Sequence, residues 1–147
     1  MKTMFDDSAR SEILSRINSV QTGAKPQWGK MNAERMLSHI TESMKMAMGE
    51  LETKSKKLPI RFFPLKQLII YVAPFPKGAP TAPELLPSDE RTLERSKTEL
   101  ARLLSAFAER KGSNKWPEHP AFGRLTTRAW GVLSYKHLDH HLRQFGV

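Results

Sequence analysis

The sequence contains no cysteine. That excludes disulfides, thiolate-ligated zinc and a cysteine nucleophile together, so any thiol used in chemistry must come from outside the chain. It also lacks a run of about 18 apolar residues, the length a membrane span requires. The most apolar stretch, Leu58 to Phe75, is interrupted by Arg61, Lys66 and three prolines. The opening, Met1-Lys2-Thr3-Met4-Phe5-Asp6-Asp7, has no apolar segment of the kind a secretory leader needs. The expectation is a cytoplasmic protein with no membrane partner. Negative charge is in short supply: 15 acidic residues stand against 24 basic ones, for a net charge of +9. Such a balance admits anionic substrates or nucleic acid. The basic residues are scattered, however. Their one tight cluster is Lys54-Ser55-Lys56-Lys57, with Arg61 nearby, and no basic helix is interleaved with aromatics.

With no internal repeat and no low-complexity tract, the 147 residues read as one domain, 1–147, large enough for a hydrophobic core. Helical periodicity dominates. Ser8 is placed to cap a first helix reaching about Val20, with Ile13, Leu14, Ile17 and Val20 as its buried stripe. Gly23, Pro26 and Gly29 mark a loop around Trp28. Asn32 is the expected N-cap of a second helix to about Leu51, with Met36, Ile40, Met44, Ala47 and Leu51 on one face, widened by Leu37 and Met48. Lys54 to Lys57 reads as a solvated loop. Pro64 opens a short apolar helix through Leu65, Leu68, Ile69 and Val72, for which a strand is the competing reading because of its β-branched content. Five prolines between Pro74 and Pro87 predict an extended connection. A fourth helix runs from a Ser88 cap to about Lys111, closed by Gly112, with Leu93, Leu100, Leu103, Leu104 and Phe107 buried. Thr126 or Thr127 caps the last helix. There Trp130, Leu133, His137, His141 and Gln144 share one arc, and Leu138, Leu142 and Phe145 the next. Lys136, Asp139 and Arg143 are expected to face water. The sum is an all-α bundle.

Three of the five histidines fall within His137-Leu138-Asp139-His140-His141. His137 and His141 are four apart, so they sit one turn above each other on one helix face. Two imidazoles so placed can grip one metal ion. A third ligand from a facing helix would leave a coordination position open, the layout of a catalytic centre. His39 lies on the flank of the second helix's stripe, beside Ser43 and Glu50, where a side chain reaches into a pocket. The spacing alone better suits buried, hydrogen-bonded histidines with His39 at a surface edge. His140 sits at the edge of the histidine arc, as a substitute ligand or as a residue orienting His137. His119, flanked by Pro117 and Pro120, is expected to shape an entrance or satisfy backbone groups. Gln144, Ser43 and Glu50 stand on faces from which they could hydrogen-bond ligand imidazoles. Trp28 and Trp130 read as core or pocket wall.

Several segments are similar to a subgroup of the DinB/YfiT-like superfamily of metalloenzymes. They are Trp28-Gly29-Lys30-Met31-Asn32, Met36-Leu37-Ser38-His39, His119-Pro120-Ala121-Phe122-Gly123 and His137-Leu138-Asp139-His140-His141-Leu142-Arg143-Gln144-Phe145-Gly146, with Met1-Lys2-Thr3 and Phe5 at the start. The ending is the most distinctive part. The resemblance implies an up-down four-helix bundle with a short extra helix and a proline-rich connection. It also implies a divalent metal held by one histidine of an early helix and an H-x-x-x-H pair on a late one. Carried over, the ligands are His39, His137 and His141. Characterised relatives use their metal to activate a low-molecular-weight thiol for transfer or isomerisation. A small-molecule substrate, an external thiol and a homodimer are therefore implied here, with water activation and hydrolysis as the neighbouring chemistry. Zinc and nickel lead among the metals that suit nitrogen ligands, followed by iron and manganese. The alternative is a non-catalytic basic helical module for nucleic acid or another anionic partner, which assigns the histidines no role.

Overall fold

The computed structural model describes residues 1–78, 83–86 and 91–147. Among these it is all-helical: five α-helices joined by loops and short 3-10 turns, with no strand. They are α1 (Asp7–Ser19), α2 (Ala33–Met48), α3 (Leu65–Gln67), α4 (Leu93–Glu109) and α5 (Thr127–Gln144). Of the four long helices, α2 packs most extensively on α4, α1 lies against α4 and α5, and α2 also meets α5. That last contact is the one on which the functional reading turns.

Local chemistry sets the helix ends. The Asn32 side chain accepts a hydrogen bond from Arg35 N at 2.8 Å, capping α2 as expected. Gly49, in the left-handed conformation (φ 76°), stops α2 before Leu51. A residue with a Cβ is strained there, so helical periodicity overestimates the helix length. Thr126 caps α5 by accepting from Ala129 N. Three sequence expectations fail at ends. The first helix begins at Asp7, before Ser8, because Asp6 stands at its N-cap and instead accepts from Thr3 N. Ser88 lies outside the described residues, and α4 starts at Leu93 with Thr92 as its cap. Gly112 has no left-handed φ; α4 passes instead into a 3-10 turn, Arg110–Gly112.

The apolar stripes face inward. Ile13, Ile17, Met36, Leu37, Ile40, Met44, Leu100, Leu103, Leu104, Phe107, Leu138 and Leu142 are buried in one core. Aromatic rings cross it: Phe5 stacks on Phe107 at 4.9 Å, and Trp116 stacks on Trp130 at 5.9 Å. A smaller cluster of Ile70, Phe122, Ala129, Val132 and Leu133 seats the third helical segment on α5. That segment is helical, not a strand. From Leu68 to Val72 it widens into a π-turn, closed by Ala73 N donating to Leu68 O at 2.7 Å. Its other side, with Phe62, Phe63, Leu68 and Val72, is exposed.

Two residues expected to face water do not. Lys136 Nζ donates to the carbonyls of Ile69, Ile70 and Ala73 at 2.7, 3.0 and 2.6 Å. These are carbonyls at a helix end that has no further turn to satisfy them. Asp139 takes an ion pair from Arg16 Nη1 at 2.7 Å, and Arg16 Nη2 also donates to Val147 O at 2.9 Å, tying α1 to the chain's last turn. Arg143 is exposed as expected.

The N-terminal segment runs against α5 at Gly131, whose carbonyl accepts from Met4 N at 3.0 Å. A Cβ at Gly131 would lie 2.6 Å from the Phe5 ring. We expect Gly131→Ala to lower stability by about 1–3 kcal/mol through overpacking. Urea denaturation checks this; an unchanged midpoint would contradict the close approach. His119 generates a second expectation. It pairs with Gly123 across the loop, and its Nδ1 accepts from Ala121 N and Phe122 N at 3.1 and 3.2 Å. Burial pushes its pKa down to about 4. The unfolded chain therefore binds this proton first as pH falls, and stability is lost between about pH 6.5 and 4, on the order of 3 kcal/mol for this group. His119→Asn, which can still accept but does not titrate, should flatten that slope in urea melts taken across the range. An unaltered slope would exclude His119 as its source.

Candidate metal centre

Helix α2 presents His39 from its buried side, and α5 presents His137 and His141 one turn apart, where the two helices pack. The three rings converge. Their centroids lie 5.1 Å (His39–His137), 4.7 Å (His39–His141) and 4.8 Å (His137–His141) apart. Nε2 of His137 stands 3.1 Å from Nε2 of His39 and 3.1 Å from Nε2 of His141. Among the described residues this is the group whose ligand atoms lie within 4.8 Å of one another. A tetrahedral ion with metal–nitrogen distances of about 2.0–2.1 Å places its ligand nitrogens roughly 3.3 Å apart. The observed spacing is close to that.

The far side of each ring decides its tautomer. His39 Nδ1 lies 2.8 Å from Leu85 O. A carbonyl only accepts, so Nδ1 carries the hydrogen and Nε2 is a bare lone pair. His141 Nδ1 lies 3.0 Å from Gln144 Oε1. The amide cannot be turned over, because its Nε2 donates to Trp28 O at 2.7 Å. His141 Nδ1 is therefore also the donor, and its Nε2 is also bare. Two lone pairs then point at His137 Nε2, which has at most one hydrogen to offer them. A cation between the three nitrogens satisfies all of them, so the donor set fits a metal ion.

Electrostatics agree. Burial lowers the pKa of His39, and burial together with the His39 ring pushes His141 down to about 3. Burial, and then the neighbouring imidazoles, hold His137 well below its ordinary value. At neutral pH the cluster is three uncharged imidazoles, the form that ligates. The ligand group contains no carboxylate, so a bound divalent ion would keep its full charge. Three histidines can hold a metal ion here.

The surroundings sort the other candidates. Gln144 does hydrogen-bond a cluster imidazole, and it also fixes the loop carrying Trp28. Ser43 does not: its hydroxyl donates to His39 O within α2 at 3.0 Å. Glu50 does not: it pairs with Arg102 at 2.7 Å, away from the cluster. His140 is outside the ligand group, half-buried, with its ring 5.2 Å from His141 and 5.8 Å from Trp28. His119 satisfies backbone groups, one of the two roles expected of it. Trp130 is core. Three contributors carried no sequence signal: the Leu85 carbonyl, Phe75 stacked on His137 at 5.4 Å, and Lys77 with its Nζ 4.3 Å from the Trp28 ring centroid. All belong to the proline-rich connection, where no periodicity indicates which side chains turn inward.

No helix among the described residues is long and apolar enough to cross a membrane. The chain matches no curated protein and no solved structure. A family described as "Protein of unknown function (DUF1569)" matches residues 3–146. The match spans nearly the whole chain, including all three convergent histidines, and the chain belongs to that family.

Proposed function

We propose that the chain is a divalent-metal-dependent enzyme built as an up-down four-helix bundle of DinB/YfiT type. In this reading His39, His137 and His141 hold the metal, and the site activates a small thiol or water for transfer, isomerisation or hydrolysis. The observation that carries it is the meeting of three Nε2 atoms whose partners across the ring, Leu85 O and Gln144 Oε1, leave lone pairs facing one another. The pattern of neighbours supports the bundle: α1 and α2 each pack on both α4 and α5. Bound at these nitrogens, a divalent ion supplies a Lewis acid that lowers the pKa of a thiol or water it holds.

The chain's own residues do the rest. Leu85 O and Gln144 orient two of the rings and fix their tautomers. Phe75 covers the His137 ring and excludes water from that side. With no cysteine in the chain, a thiol nucleophile is an external cofactor, and a small molecule is the substrate. Zinc or nickel is favoured, with iron or manganese next. A cytoplasmic setting and a homodimer complete the reading; light scattering that gives the 16.8 kDa monomer mass would remove the dimer. The basic binding module is less well supported, because it explains neither the convergence nor the tautomers.

Protein purified without chelator should carry about one divalent ion per chain. His137→Ala should lose it while keeping its helical circular dichroism; equal metal content in both proteins would end the proposal. Gln144→Leu should weaken metal affinity by about 10- to 100-fold, since it removes the partner that orients His141. Competition with a chromogenic chelator measures this, and an unchanged affinity would show that the amide has no such role.

A further inference from the structure

Lys77 stands beside the histidine cluster without belonging to it. Its Nζ lies 4.3 Å from the centroid of Trp28, whose ring meets His140 edge-on at 5.8 Å. His140 in turn lies 5.2 Å from His141, and Phe75 bridges His137 and His140 at 5.4 and 5.5 Å. Trp28, His140 and Phe75 thus form a continuous aromatic wall from the exposed ammonium to the ligand nitrogens. The nearest acid on α5, Asp139, is committed to Arg16 and Arg143. Among the described residues no carboxylate pairs with Lys77. A cation held over a tryptophan face keeps its remaining hydrogens for another partner.

We propose that Lys77, resting on Trp28, is an anion-accepting subsite at the mouth of the three-histidine centre. It selects a small organic molecule that carries a carboxylate at one end and directs its reacting group to the metal at the other. The aromatic wall receives the carbon body between them. This inference rests on the metal reading above, and it names the substrate class that reading leaves open.

The test uses the full chain loaded with cobalt(II), with cobalt content measured in every variant. The probes are 3-mercaptopropionate and 3-mercaptopropanamide, which are alike in shape and differ in charge. Binding is followed by the sulfur-to-cobalt charge-transfer absorption. The metal's own charge favours the acid in any variant, so the quantity read is the acid-to-amide affinity ratio. Lys77→Met should lower that ratio about fivefold, the scale of one exposed charge pair, and Lys77→Glu should lower it further. Lys77 is exposed, and neither variant touches the core. Full cobalt loading with a ratio unchanged by both substitutions would overturn the subsite while leaving the metal reading intact. A loaded site that takes neither thiol would overturn it equally. Wild-type protein that takes up no cobalt would overturn the metal reading itself.

Discussion

Three Nε2 atoms that share at most one hydrogen, with that of His137 3.1 Å from each of the other two, are the constraint on which the rest of the molecule depends. Lone pairs in contact repel, and in a site with little water they cannot turn to solvent for a donor. The rings could escape by rotating, swapping which nitrogen faces inward. They are prevented by bonds on their outer sides: a backbone carbonyl from the proline-rich connection for His39, and the Gln144 amide for His141. A strain of this kind survives only where the surroundings over-determine it, and such places cluster at functional sites.

The over-determination is distributed through the fold. Gln144 sits in the last turn of α5, takes His141 with one end and Trp28 O with the other, and its own carbonyl accepts from Gln27 N at 2.7 Å. One side chain thereby couples the His141 tautomer to loop position. Gly29 completes the arrangement: a Cβ there would come 2.5 Å from the Gln144 amide nitrogen, and its φ of 83° is one that side-chain-bearing residues rarely adopt. The Trp-Gly pair in the first loop and the Gln near the C-terminus are thus parts of one device, though about 115 residues separate them.

The sequence made some of this legible for plain reasons. A buried stripe leaves a period in the chain, so the inward faces of α1, α2, α4 and α5 could be read from Ile, Leu, Met and Phe alone. Asn32 and Thr126 advertise helix starts because their side chains replace a missing carbonyl. His137 and His141 are four apart, which fixes their common face. What stayed hidden is interaction at a distance. Lys136 and Asp139 lie on a polar arc and read as solvated, yet one finds three carbonyls and the other an arginine on α1. Charge specifies that a partner is needed, not where it is. Ser43 lies on a suitable face of α2 and Glu50 just past its end, but both are taken by other partners, a carbonyl four residues back and Arg102. Gly112 resembles a helix stop that the chain does not use, whereas Gly49 is one whose effect on length periodicity concealed.

The Lys136 contact also explains why the connection passes over the site at all. The π-turn Leu68–Val72 ends with carbonyls that no following turn can satisfy, and the prolines after it remove donors that might have done so. A single ammonium from α5 takes three of them. Burial lowers the pKa of Lys136, and its neutral form would have one hydrogen fewer to give, so its charge and its role are linked. Lys136 is adjacent in sequence to His137. The residue that anchors the strap therefore sits beside the histidine that the strap covers, and Phe75, two residues past the last anchored carbonyl, comes to lie on the His137 ring. From there the chain needs only two more residues to bring Lys77 over Trp28. The positions of Phe75 and Lys77 thus follow from one anchored end, and this is how residues 73–77, with no periodicity of their own, are brought to the histidine cluster.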